Sequence, residues 1–163
     1  MHRRLHLLLF PLILPLMLIG TLVFVNQTLA GDPYDICSTC TYPTIQEAVN
    51  ADSNVGAVLM IADETFSETV EITRSITLVG AGAGLTIIDG QVTDTVILIS
   101  SGANVSISGV TIQNGDSTDP DGGGGVLNES SIFTLTDSVV QNNQALFGGG
   151  ISNNGSMTLD NVT

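Results

Sequence analysis

Asp116, Asp119 and Asp121 set three carboxylates within the short stretch Asp116-Ser117-Thr118-Asp119-Pro120-Asp121-Gly122. Oxygen ligands spaced this closely, with a glycine to let the loop close, could wrap a hard cation such as calcium. The spacing is not that of an EF-hand, which wants acids at alternate positions and a distant Glu. Asp, Ser, Pro and Gly are also ordinary turn residues, so a solvated loop accounts for the same stretch. Calcium is therefore carried as the one candidate cofactor, with Asp116, Asp119 and Asp121 as its ligands.

Cys37 and Cys40 form a Cys-Ser-Thr-Cys pair, the only cysteines of the chain. In an exported protein such a pair reads as a small disulfide loop. A redox pair would want a helix N-terminus and a βαβ pattern around it, which the flanking sequence lacks. Zinc would need two further ligands, and beyond residue 30 there is no other Cys and no His. A third tempting stretch, Gly80-Ala81-Gly82-Ala83-Gly84, lacks the Lys-Ser/Thr of a phosphate-binding loop and runs into a strand pattern rather than a helix, so it reads as a corner.

The elements that must carry these residues are written as a repeat. Gly84-Leu85-Thr86-Ile87-Ile88-Asp89-Gly90 returns as Gly109-Val110-Thr111-Ile112-Gln113-Asn114-Gly115 and again as Asp137-Ser138-Val139-Val140-Gln141-Asn142-Asn143, with a partial copy at Asn161-Val162-Thr163. Gly123-Gly124-Gly125-Val126-Leu127-Asn128 likewise recurs as Gly148-Gly149-Gly150-Ile151-Ser152-Asn153. Repeats of this length mean a stacked array. Before each phrase, apolar residues alternate with Ser or Thr, as in Val105-Ser106-Ile107, Phe133-Thr134-Leu135 and Met157-Thr158-Leu159. Period two means strand. Gly109, Asp137 and Asn161 then fall where the parity shifts, and these residue types best tolerate the positive φ of a sharp bend.

Coils of short parallel strands joined by tight corners make an all-β parallel β-helix. The Thr-Ile-x-Asp/Asn-Gly phrase, the Gly-rich turns and the Leu-Thr-x-Asp/Asn run resemble the right-handed β-helix repeats of pectate-lyase-like surface proteins, including the polymorphic outer-membrane type. The resemblance covers roughly residues 41–163. It implies architecture more than activity, since one fold carries many functions.

Three segments follow in order. Residues 1–30 read as a signal peptide: basic Met1-His2-Arg3-Arg4, an apolar run from Leu7 to Val25, and a small residue, Ala30, suited to cleavage. An apolar run of this length could also stay as an uncleaved anchor, which would be the one membrane contact. Residues 31–43 carry the cysteine pair, and residues 44–163 the β-helix. Thr44-Ile45-Gln46-Glu47 is a capping box, with Ile45, Ala48 and Val49 on one face, so residues 44–51 are expected to form a short helix that caps the N-terminal end of the core. It also resembles the segment opening many β-helix domains of the family. Thr163 falls inside a strand pattern, so the β-helix is expected to be C-terminally truncated.

Loss of the first 30 residues removes both His and two of the three basic residues, moving the net charge from −13 to −15 with Arg74 the only cation left. Such a surface repels phosphate backbones, which excludes nucleic acid as a partner. The acidity serves solubility or, alternatively, cation binding.

The resemblance to pectate lyases implies a basic side chain as proton-abstracting base, for which Arg74 is the sole candidate; Glu71 close by in sequence makes an ion pair or solvated corner the simpler role. Fold-related hydrolases use clustered Asp residues as acid and base. Asp89, Asp137 and Asp160 sit at turn positions of the repeat, where Asn and Gly replace them elsewhere, so no catalytic residue is assigned. The expectation is an exported, secreted or cell-surface module for adhesion or for binding a glycan or a surface protein. The alternative is a polysaccharide lyase or glycoside hydrolase whose active site lies beyond Thr163.

Overall fold

The computed structural model describes residues 34–163; the expected signal peptide and its cleavage site lie outside the described residues. After α1 (Ile45–Asn50) and a single 3-10 turn (Asp52–Asn54), the chain is built from short strands. They are β1 (Val58–Ile61), β2 (Thr65–Ser67), β3 (Val70–Ile72), β4 (Ile76–Gly80), β5 (Ile87–Asp89), β6 (Ile97–Ile99) and β7 (Asn104–Ser108). There follow β8 (Thr111–Gln113), β9 (Asp116–Ser117), β10 (Val126–Asn128), β11 (Ile132–Gln141), β12 (Gln144–Ala145), β13 (Ile151–Asn153) and β14 (Ser156–Val162).

All named pairings are parallel, and they sort the strands into three walls of a β-helix. The first wall is β1-β4-β7-β11-β14. The second is β2-β5-β8 and the last residues of β11. The third is β3-β6-β10-β13. A small pair, β9 with β12, lies between the second and third walls in chain order.

The alternation in sequence becomes alternation of side. On the first wall, Ile76, Val105, Phe133 and Met157 stand in register, one per coil. Leu59, Leu78, Ile107, Leu135 and Leu159 form the neighbouring column. From Ile76 to Phe133 and from Leu59 to Leu135 these side chains are buried. Each aliphatic group so enclosed is worth about 1.5–3 kcal/mol. The second wall adds Phe66, Ile88, Ile112 and Val140, and the third Val70, Ile97, Val126 and Ile151.

The corners follow the residue types. Gly109, Asp137 and Asn161 have φ of 66°, 48° and 52°, so the chain turns between the first and second walls at residues that accept the left-handed region. Just past it, Ser138, the polar member of the Val110-Ser138-Val162 row, has its hydroxyl satisfied: Oγ donates to the Thr136 carbonyl at 2.7 Å and accepts the Val110 N–H at 3.3 Å.

One alignment of the repeat needs correction. The phrase copies match Ile87 with Ile112, but in the structure Ile87 pairs with Thr111, Ile88 with Ile112 and Asp89 with Gln113. A slip of one residue turns every side chain to the opposite face. Ile88 and Ile112 are both fully buried, so core burial rather than phrase similarity sets the register. In register with Asp89 stand Gln113 and then Gln141, while Asn114, one residue further on, still reaches the Asp89 carboxylate with its side-chain amide at 2.8 Å.

The N-terminal end is roofed by α1, whose Ile45, Ala48 and Val49 join the core. Thr44 Oγ1 accepts the Glu47 N–H at 3.1 Å, the N-cap half of a capping box. The next two free donors are met from elsewhere. Glu68, between β2 and β3, accepts from Ile45 N–H and Gln46 N–H, both at 2.9 Å. Gln46 in turn acts as a stand-in strand against β3, accepting from Glu71 N–H at 2.7 Å and donating to the Glu71 carbonyl at 3.1 Å. It thereby covers part of an otherwise open sheet edge.

Candidate functional site

The outward row of the third wall is Glu71, Leu98, Leu127 and Ser152. Two of the four are leucines, on a side where the other walls present mainly Ser, Thr, Asp and Gln. A groove of about 330 Å³ runs over this row. Leu98 and Leu127 contribute its apolar floor, while Gln46, Thr69 and Thr95 offer amide and hydroxyl groups and Glu71, Asp94 and Asp119 bring carboxylates.

The groove exists because of how the acidic loop folds. Leu127 points outward and is nonetheless only 2% exposed, because residues 118–123 are drawn against the third wall. Ser152 Oγ donates to the Asp121 carbonyl at 2.7 Å, and Gly123 N–H to the Phe147 carbonyl at 3.0 Å, tying the loop to the following coil. Within the loop, Asp119 Oδ1 accepts the Asp121 N–H at 2.7 Å and its carbonyl accepts the Gly122 N–H at 3.0 Å. Thr95 Oγ1 lies 3.0 Å from Ser117 Oγ, and the latter accepts the Asp119 N–H at 3.3 Å, which fixes the opposite rim.

The three acids singled out from the sequence have separate duties. Asp116 starts β9 and pairs with Gln144, Asp119 turns its own loop and lines the groove, and Asp121 is exposed. Among the described residues no three His, Cys, Asp or Glu side chains converge as a metal site does. Cys37 and Cys40 are joined as a disulfide with Cα atoms 4.9 Å apart. Their loop is fastened by Ser38, whose N–H and Oγ both bond to the Glu64 carboxylate, at 3.0 and 3.1 Å. Arg74 is half-buried between β3 and β4.

Asp89, Asp137 and Asp160 do not meet. Asp137 accepts from Asn161 Nδ2 at 2.7 Å, and Asp160 lies on β14. Asp89 anchors an amide cluster, with Oδ2 accepting from Gln113 Nε2 at 2.9 Å and Asn114 Nδ2 at 2.8 Å, and Oδ1 from the Gln91 N–H at 2.9 Å. Gln141 continues the ladder by donating to Gln113 at 3.0 Å. Of the four Asn-x-Ser/Thr sequences beyond residue 30, those at Asn104, Asn154 and Asn161 are exposed, while Asn128 is fully buried and bonded to Ser131 and Asn153.

Two carboxyls titrate away from their ordinary range, in opposite senses. Burial pushes Glu68 up, only partly opposed by the Gln46 and Ile45 N–H groups, and the Glu47 charge adds to the rise. Burial also acts to raise Asp89, but the bonds from Gln113, Gln91 and Asn114 together outweigh it and hold the carboxyl low. The stabilisation tied to Glu68 is therefore complete below its unfolded value of about 4.3 and is lost as pH rises through the higher folded value. That tied to Asp89 is present above about 3.9 and disappears as pH falls through its lower folded value. In thermal melts, Glu68→Gln is expected to flatten the gain in Tm on acidification from pH 7 toward 5. Asp89→Asn should remove part of the drop below pH 4. Each effect is read as variant minus wild type, since the common decline in acidic repulsion cancels.

The sequence offered one signal for the groove. Val96-Ile97-Leu98-Ile99 is a continuous apolar run rather than an alternating one, the pattern of a strand covered on both faces.

No protein-family model matches the chain, and no curated protein matches it in sequence. Among solved structures it is similar to a pectin methylesterase variant crystallised with a hexasaccharide, with a TM-score of 0.59 at 17% identity. The match covers 80% of this chain and 49% of that one, so the chain spans about half the length of that structure. What the likeness shows is the fold, a right-handed parallel β-helix of the pectate-lyase-like type.

Proposed function

We propose that the chain is an exported, extracellular binding module that holds a segment of glycan in the groove over the third wall. The groove carries this reading: it is open, runs across stacked strands, and sets hydroxyl, amide and carboxylate groups around an apolar floor. Sugars present the same mixture of hydroxyl edges and apolar faces, and specific pockets are built from such combinations. The hexasaccharide bound by the structural neighbour and the N-terminal export signature agree with it. Calcium takes no part in this reading.

The test is a glycan microarray followed by calorimetry on the hits. Leu98→Asp is expected to weaken binding at least about tenfold, or about 1.4 kcal/mol, with Tm little changed because Leu98 is only half-buried. Repeating the titration with millimolar calcium or with chelator should give the same affinity. Silence across neutral and acidic glycans would end the proposal.

An enzymatic reading has one observation in its favour, the presence of Glu71, Asp94 and Asp119 on one groove. Glycoside hydrolysis needs two such carboxylates. Release of reducing ends that Glu71→Gln or Asp94→Asn abolishes would favour a hydrolase, and a rise in 235-nm absorbance would favour a lyase.

A further inference from the structure

The groove over the third wall is one-sided in its charge. Glu71, Asp94 and Asp119 bring carboxylates to it, and no Lys, Arg or His is among the residues that line it. Arg74, the one cation beyond residue 30, lies between β3 and β4 and is not part of the lining.

Its hydrogen-bonding capacity is skewed as well. The Gln46 amide is already committed: Nε2 donates to Asn50 Oδ1 and to the Glu71 carbonyl, both at 3.1 Å, and Oε1 accepts the Glu71 N–H at 2.7 Å. Asp94 Oδ1 accepts the Thr95 N–H and Asp119 Oδ1 the Asp121 N–H, both at 2.7 Å. Among the described residues nothing donates to the second oxygen of either Asp or to the Glu71 carboxylate. The groove therefore keeps strong acceptors and, beyond the Thr69 and Thr95 hydroxyls, offers no side-chain donor of its own.

We infer that the glycan held here is cationic, a hexosamine polymer with free amino groups, whose ammonium groups meet Glu71, Asp94 and Asp119 while its ring faces lie on Leu98 and Leu127. The inference rests on the glycan reading of the groove and adds to it the charge of the sugar. An ammonium group supplies three N–H donors and the opposite charge, where a hydroxyl supplies one donor and no charge. A uronate brings a second negative charge to a wall with no cation to receive it, and like charges placed together select against a ligand. The leucines distinguish a sugar from a simple polyamine: they set an apolar floor between the carboxylates, which the C–H face of a pyranose ring covers.

The experiment is calorimetry on the full chain with glucosamine, N-acetylglucosamine and galacturonate hexamers, at mildly acidic pH where the amines are protonated. The glucosamine hexamer is expected to bind about tenfold or more tighter than its N-acetyl counterpart, the product of three exposed ion pairs of a few-fold each. The galacturonate hexamer should not bind, and high salt should shrink the preference. Glu71→Gln with Asp94→Asn should remove most of it. Asp63→Asn with Glu129→Gln, which deletes the same charge at exposed positions outside the lining, should leave it within about twofold, as expected for surface changes away from the site. Equal affinity for the glucosamine and N-acetyl hexamers, or binding of galacturonate, overturns the inference and leaves the glycan reading standing. Binding of none of the three removes both. Equal losses in the two double variants would reduce the preference to attraction by the whole acidic surface, and displacement of the glucosamine hexamer by a lower concentration of hexalysine would make the partner a basic peptide; either result overturns the inference.

Discussion

Replacing Phe133 with alanine is expected to cost about 3–5 kcal/mol, the range for deleting a large aromatic side chain from a core. Phe133 heads the fully buried side chains by volume and stands in register with Val105 on one side and Met157 on the other. The cavity left behind has little means of collapsing. Strand separation along the β-helix is fixed by the ladders on both edges of β11, so Val105 and Met157 cannot approach each other to fill it. Urea denaturation should show the midpoint falling with the slope m kept, whereas Phe133→Leu should lose clearly less. A loss under about 1 kcal/mol for Phe133→Ala would mean that the column is not close-packed.

The second large effect concerns backbone approach. Gly124→Ala is expected to destabilise by about 3 kcal/mol or more, at the upper end of overpacking costs. A Cβ at Gly124 would run into the carbonyl oxygens of Gln144 and Gly149. Both belong to the next coil, and that backbone is held: Gly125 N–H donates to the Gly149 carbonyl at 3.1 Å, and Gln144 N–H to the Gly115 carbonyl at 2.8 Å. No flexible side chain is available to give way. Gly150→Ala is the natural contrast, since its added Cβ would meet only a Val140 methyl at 3.7 Å. Its stability should stay within about 0.5 kcal/mol of wild type. Equal losses for the two variants would contradict the close stacking of the glycine phrases.

That contrast also marks where sequence reading stops. Gly123-Gly124-Gly125 and Gly148-Gly149-Gly150 are the same words, yet the first triplet lies under the second and the second has no described coil above it. Position in the stack decides the difference, and no window of sequence contains it.

What the amino-acid order determined by itself is local and steric. Alternation of apolar residues with Ser and Thr specified strands and their inward sides, and Gly109, Asp137 and Asn161 specified the bends, because each residue's own φ preferences and side-chain direction act within a few positions. The pile of Val105, Phe133 and Met157 follows from those two facts alone. The tertiary structure decided what depends on residues far apart in the chain: Ile88 set over Ile112, Glu68 capping a helix more than 20 residues away, and the Asp116–Gly122 stretch drawn onto Leu127 to wall a groove. Such contacts form because buried surface and backbone donors must find partners once coils stack, and only stacking reveals which partners are within reach.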